Sequence, residues 1–176
     1  LDPASSRYTE AHDGDHLVRD VTGEVVAMEG TPTPDDRHRA IVDLTSEHGR
    51  QWWQEAHQEF LDDGVAVFKT DFGEGVPDTS VLADGTPPAH AHNLFPLRYN
   101  AVVSDVIRRR TGRPSLVWAR SGWAGSHRYP AQWGGDPESS VAGFRATVRG
   151  GLSFSLSAPG LWGHDVGGFF GEGTPE

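Results

Sequence analysis

The sequence predicts an α/β fold of parallel βα units, and three observations carry that prediction. Short apolar runs alternate with stretches of helical apolar periodicity, in the order strand, helix, strand, helix, strand. Polar and Gly-rich residues gather directly after each predicted strand, where parallel α/β folds place their chemistry. Three strand and loop units are clear, whereas a closed eight-stranded barrel takes about 250 residues against the 176 present. The pattern fits either a compact open sheet or a piece of a (β/α)8 barrel.

The chain opens as loops and short strands. Residues 16–29, HLVRDVTGEVVAME, set Thr22 and Gly23 between two β-rich runs, a hairpin signal. TPTPDD, 31–36, is a Pro-rich surface loop too short to link domains. After an apolar strand at 41–44, Thr45 or Ser46 can cap a helix whose first turn carries Glu47. Trp52, Trp53, Ala56 and Phe60 recur along it at helical spacing, and Gly64 stops it. VAVF, 65–68, is a short continuous run suited to a strand buried on both faces. From about 89 to 111, Phe95, Tyr99, Val102, Val103, Val106 and Ile107 form a second stripe, closed by Gly112 and Pro114. SLVWA, 115–119, is the next strand and leads into Arg120. A third helix at 138–149 carries Val141, Phe144 and Val148 and ends at Gly150 and Gly151, before a strand LSFSL at 152–156.

Composition removes several classes of function. Lys and Arg number 15 against 25 Asp and Glu, a net charge of -10, which disfavours a nucleic-acid partner because phosphate neutralisation needs clustered cations. The basic triplet Arg108, Arg109 and Arg110 is read as the last turn of a helix facing its own dipole. The absence of cysteine rules out disulfides and thiolate zinc sites and fits a reducing compartment. No apolar run reaches the roughly 20 residues of a membrane span, and no signal-peptide pattern opens the chain, so the expectation is a cytoplasmic protein without a membrane partner. Because Leu1 is not an initiator Met, the amino terminus is expected to be missing.

Three motifs carry chemistry. FKTDFGE, 68–74, contains the DFG triplet known from protein kinases, but no G-x-G-x-x-G loop or P-loop accompanies it, and Val18-Arg19-Asp20 sits in the predicted hairpin. Phosphoryl transfer is therefore excluded. Asp71 follows one strand and Asp136, in WGGDPE at 133–138, lies in a loop after the next. Two carboxyls on one face suit glycoside cleavage, while a helix-capping role for Asp136 stays open. His90-Ala91-His92, with His127 and His164, is weak as a metal set because no carboxylate joins it at a zinc-site spacing. LWGHDVGGFFGEG, 161–173, reads either as a polar clamp on an aromatic platform for a sugar or as an ordinary Gly-rich loop.

Together KTDFGE (69–74), AHNLFPLRYN (91–100), ARSGWAGSHRYPAQWGGD (119–136) and RGGLSFSLSAPGLWGHDVGGF (149–169) resemble glycoside hydrolase family 31. DLTSEHGRQWW (43–53) looks like the segment before that family's nucleophile strand, and LDP at the start like the end of the preceding one. The resemblance implies a partial (β/α)8 TIM barrel, about strands four to six, and retaining hydrolysis of α-glycosides with no cofactor and no metal. Carried over by position, Asp71 is similar to the nucleophile and Asp136 to the general acid and base. Asp71 is expected to be kept ionised by Lys69 or Arg120, and Asp136 to sit in a drier setting. Arg120 and His164 match residues that hold sugar hydroxyls, and Trp133 and Phe72 match apolar walls.

The lysine and the DFGE spelling look like bacterial α-xylosidases, whereas α-glucosidases of the family place Trp, Met and Asn around this aspartate. Xylose lacks the exocyclic CH2OH of glucose, a difference worth about 1 to 3 kcal/mol in a shaped pocket. The expected activity is that of an α-xylosidase on an oligosaccharide or other α-glycoside, with an α-glucosidase or α-glycosyl transferase as the alternative. A truncated, non-catalytic carbohydrate-binding remnant is the alternative of another class. Residues 1–176 are expected to be a fragment of one catalytic barrel domain, inactive by itself, with open edges that expose strands such as VAVF. A homo-oligomer is possible in the full-length enzyme.

Overall fold

The structure, a computed structural model, describes residues 1–32, 38–129, 131–157 and 160–173. Four helices and six strands follow in the order α1 (Ser6–Asp13), β1 (Ala27–Pro32), β2 (His38–Ala40), α2 (Glu47–Asp62), β3 (Val67–Thr70), α3 (Pro88–Thr111), β4 (Leu116–Ala119), β5 (Ala131–Trp133), α4 (Val141–Ser155) and β6 (Leu161–Gly163) among the described residues. The strands β3, β4, β5 and β6 form one parallel sheet in chain order, while β1 and β2 pair antiparallel. Sequential parallel pairing, with α3 crossing over from β3 to β4 and α4 from β5 to β6, is the barrel pattern expected from the sequence, while β4 and β5 are joined by a loop.

The opening segment departs from the expectation of loops and strands. Ser5 caps α1 by accepting a hydrogen bond from the Tyr8 N–H at 3.2 Å. This helix buries only Ala11, so its eight residues offer too short a stripe for periodicity to register. Around Thr22 and Gly23 the expected hairpin is a narrow turn, with one bridge between Arg19 and Val25 and Val26 N–H bonded to Val18 O at 2.9 Å. Of the Pro-rich segment 31–36, the first two residues end β1 and the rest lie outside the described residues. Residues 41–44 are buried but contribute a single bridge, Val42 to Leu17, rather than a strand. Their apolar side chains pack into the core formed by Val18, Val26, Phe95 and Val102 instead of joining the sheet.

Helices α2 and α3 form as their caps and stripes predict. Ser46 is the N-cap of α2 and accepts from Gly49 N–H at 2.9 Å, and Gly64, with φ +96°, turns the chain away after it. Trp52 and Trp53 pack on the core, but Phe60 is 48% exposed and touches Phe68 edge-on. Helix α3 buries Phe95, Val102, Val103, Val106 and Ile107, and ends at Gly112 in the left-handed region with three arginines in its last turn. Arg110 pairs with Asp62, and Gln54 donates to Val102 O at 3.1 Å, tying α3 to α2.

Register decides what each sheet face does. Lys69 lies opposite Trp118, Trp118 opposite Ala131, and Trp133 opposite Gly163, so these residues share a face with Val67 and Leu161. The other face carries Phe68, Thr70, Val117 and Ala119 and packs on α2 and α3 through Leu61, Val103, Val106 and Ile107. Burying each such aliphatic side chain contributes about 1.5 to 3 kcal/mol. The first face is open: Val67 is 41% and Leu161 58% exposed. The strand predicted at 65–68 with both faces buried is observed at Val67–Thr70 instead, and Val65 and Val67 are exposed because no element among the described residues covers their side of the sheet.

The predicted strand at 152–156 is helix. Helix α4 runs through Gly150 and Gly151 to Ser155, started by Ser140, which accepts from Gly143 N–H at 3.0 Å. Gly151 does not stop the helix; it lets α4 lie against β6, since a Cβ there would fall 1.8 Å from the Trp162 ring. LSFSL contains no β-branched residue to favour a strand, and Ser155 Oγ donates back to Gly151 O at 2.8 Å. Val141 and Phe144, expected to pack, are exposed.

Candidate active site

Every strand of the parallel sheet delivers one element of the site at its carboxyl end. Strand β3 stops at Thr70, which is buried, and Asp71 follows it exposed to solvent. Phe72 then takes a left-handed φ of +57° and Gly73 one of +97°. A side chain in that region costs about 1 to 2 kcal/mol. The turn is held by Ser121 Oγ, which donates to Phe72 O at 2.6 Å, and by two guanidinium groups on the Phe72 ring, those of Arg120 at 4.5 Å and Arg39 at 5.1 Å. Gly73 fits because a Cβ there would lie 2.9 Å from Ser121 Oγ and 3.1 Å from the Tyr99 ring.

Arg120, the first residue after β4, is the hub. Its Nε donates to Glu74 Oε1 at 2.9 Å, and its Nη1 lies 3.6 Å from Asp71 Oδ1 and 3.7 Å from Asp136 Oδ2. The two carboxylate oxygens are therefore no further apart than the sum of those last two distances. Asp136 arrives by the loop after β5 and is not the cap of α4, a role taken by Ser140. Its side chain is 34% exposed against 45% for Asp71, drier by a small margin, and both face the same guanidinium.

Lys69 points from β3 across the open face. Its ammonium stands 3.7 Å from the centroid of the Trp133 ring and 5.9 Å from that of Trp118, and among the described residues it makes no ion pair with Asp71. A cation over an indole face gains roughly 0.5 to 2 kcal/mol. Trp133 is buried, donates from Nε1 to Asp165 Oδ1 at 3.3 Å and meets Phe169 edge-on. Asp71, Phe72, Arg120, Trp133, Asp136 and Lys69 thus converge. His164 does not join them here: its ring stacks on Trp162 at 5.5 Å and neighbours Phe144 of α4. Of the adjacent His164 and Asp165 in LWGHDVGGFFGEG it is Asp165 that reaches the cluster.

Tyr99 of α3 stands behind the turn, and burial, with the Asp71 carboxylate adding to it, raises its phenol well above the usual tyrosine range. A cleft of about 900 Å³ continues from Arg120, Trp133 and Asp136 past Gln132 to Thr147 and Phe154 of α4. His90 and His92 sit in the first turns of α3 and His127 in a short turn at Ser126–Arg128. Among the described residues no three His, Asp or Glu side chains form a metal-binding group. Glu74, Ser121 and Asp165 were not singled out by the sequence; only the spelling DFGE and the His-Asp pair hinted at two of them.

A family model described as glycosyl hydrolases family 31 TIM-barrel domain matches residues 1–176. An α-xylosidase of Emericella nidulans is 40% identical over 138 residues, 77% of this chain and 17% of that protein. The α-xylosidase XylQ of Lactiplantibacillus pentosus is 40% identical over 139 residues, 77% of this chain and 18% of that protein. The chain therefore spans less than a fifth of the length of these curated relatives. Among solved structures, a cycloalternan-degrading enzyme from Trueperella pyogenes in complex with covalent intermediate superposes with a TM-score of 0.82 at 27% identity, covering 98% of this chain and 24% of that one.

Proposed function

The chain belongs to glycoside hydrolase family 31, and on that premise we propose that residues 1–176 carry the catalytic centre of a retaining α-xylosidase, as the central part of one (β/α)8 catalytic domain. The observation that carries the reading is the shared guanidinium of Arg120, with Asp71 at 3.6 Å and Asp136 at 3.7 Å. Retention needs two carboxyl groups about 5 to 5.5 Å apart, and a single nitrogen between them is compatible with that spacing.

In this reading Asp71 attacks the anomeric carbon, forming a C1–Oδ ester as the glycosidic C1–O bond breaks. The departing oxygen takes its proton from Asp136. Asp136, now a carboxylate, takes a proton from water, whose oxygen attacks C1 and releases Asp71, so the sugar leaves with its original anomeric configuration. Arg120 offsets charge on both carboxylates in turn, and Glu74 holds its other edge. Trp133 and Phe72 supply flat walls for the pyranose, and Lys69 holds a hydroxyl group.

Preference for xylose is supported by two relatives at 40% identity that are named α-xylosidases, and by Lys69 before the DFGE turn. The cycloalternan-degrading structural relative favours the second reading, an α-glucosidase or glycosyl transferase. The two separate in steady-state kinetics of the protein expressed from its complete reading frame. We expect kcat/KM for 4-nitrophenyl α-xyloside to exceed that for the α-glucoside by about tenfold or more, with α-xylose as the first product by NMR. A ratio reversed toward glucose selects the second reading, and a folded protein inert to both selects a non-catalytic carbohydrate-binding role.

A further inference from the structure

We infer that Asn100, in the middle of α3, is the positioning residue that fixes the strand ends bearing Asp71 and Arg120 relative to each other. Asn100 is 1% exposed, and its carboxamide is used at both ends. Its Oδ1 accepts from the Thr70 hydroxyl at 2.5 Å, and its Nδ2 donates to Ser121 O at 3.2 Å. Thr70 immediately precedes Asp71, and Ser121 immediately follows Arg120. The backbone adds a direct link, Arg120 N–H to Thr70 O at 3.0 Å.

The contacts close a circuit. From Ser121 the chain of bonds continues through its Oγ to Phe72 O, on the far side of Asp71. Asp71 is therefore bracketed by two residues, Thr70 and Phe72, each tied to the segment that carries Arg120. The left-handed Phe72 is the strained point of that circuit, and strain of this kind persists only where surrounding bonds over-determine the backbone. The Ser121 carbonyl can only accept, which fixes the carboxamide with Nδ2 toward it and leaves Oδ1 to accept from the Thr70 hydroxyl, so a group with one donor and one acceptor satisfies both. Leu would satisfy neither, and Asp only the Thr70 hydroxyl. Asn100 acts through its neighbours and meets no substrate.

The test uses the protein from its complete reading frame with Asn100→Leu and Asn100→Asp. Hydrogen exchange followed by mass spectrometry should show amides of residues 70–74 and 119–122 exchanging about tenfold faster or more in Asn100→Leu, with segments of α2 unchanged. The kinetic arm rests on the glycosidase reading: kcat falls about 100-fold while KM stays within about threefold, as expected when reacting groups are misplaced by an ångström or so. Asn100→Asp, which keeps the side-chain volume, should loosen 119–122 more than 70–74. Unchanged exchange at both segments in either folded variant overturns the inference, as does an acceleration shared equally by α2, which marks a general packing role. If the parent protein cleaves neither glycoside, the glycosidase reading fails while the exchange arm still decides the role of Asn100.

Discussion

Asp71 and Asp136 face one guanidinium but are proposed to do different work, and substitution separates the roles. Asp71→Ala should abolish turnover of every substrate, because no other group can form the ester. Asp136→Ala should lose about 10²- to 10⁴-fold on a sugar leaving group that needs its proton, and much less on a fluoride or a nitrophenolate. Azide should restore release of product from that variant as a glycosyl azide of the substrate's configuration. Asp71, Asp136 and Arg120 were legible in the sequence because each follows a recognisable strand or Gly-rich turn. Glu74, Ser121 and Asn100 were not, because what marks them is a partner 46, 49 or 30 residues away, which local pattern does not encode. The direction of His164 was illegible for a related reason, since its ring, stacked on the nearby Trp162, also lies against Phe144 of α4, which is distant in sequence.

Glycine in α4 shows how an element can mislead a reader of the sequence. Gly150 and Gly151 read as a stop, yet the helix passes through both, and the two residues have opposite environments. A Cβ on Gly150 meets nothing within 4 Å, so Gly150→Ala should stabilise by about 0.5 to 1 kcal/mol through backbone entropy. Gly151→Ala forces a methyl into the Trp162 ring and should destabilise by about 1 to 3 kcal/mol or more. Midpoints of urea unfolding check both. Helices α2 and α3 were legible because capping and periodicity agree with burial, from Ser46 at one end to Gly112 at the other. His57 of α2 is wedged between Trp53 and Phe68 with Nδ1 2.7 Å from Trp53 O. Burial lowers its pKa from the ordinary value, against a smaller rise from that hydrogen bond. The unfolded chain then binds the proton more readily, so the contribution is whole above the unfolded value near 6.5 and is lost as pH falls through it. Unfolding midpoints should drop between pH 7.5 and about 5.5, and His57→Phe should flatten that slope.

At the scale of the whole molecule, the sheet has one face packed on helices and one face open. Val67 and Leu161 on the open face are exposed, as are Val141, Phe144, Leu152 and Leu156 on α4 and at its end, and apolar surface on this scale calls for a cover. The 176 residues expressed alone should bind a hydrophobic dye and self-associate, whereas the product of the complete reading frame should do neither. A cooperative melt of the isolated chain as a monomer would contradict that account. Parallel βα order was legible from alternating patterns, and the partial barrel from the motif blocks that resemble the family, since length alone also allowed an open sheet. Which side chains share the open face was not, since that depends on registers such as Lys69 opposite Trp118. In the proposed mechanism Asp71 becomes covalently linked to a pentose during turnover. The measurement that tests it most directly treats the full-length protein in parallel with 5-fluoro-α-xylosyl fluoride and 5-fluoro-α-glucosyl fluoride, and reads intact mass followed by peptide mapping. A fluoroxylosyl adduct on the peptide containing Asp71, formed faster than its glucosyl counterpart, is the predicted result; a folded protein that gains no mass from either reagent, or gains it at another residue, would contradict it.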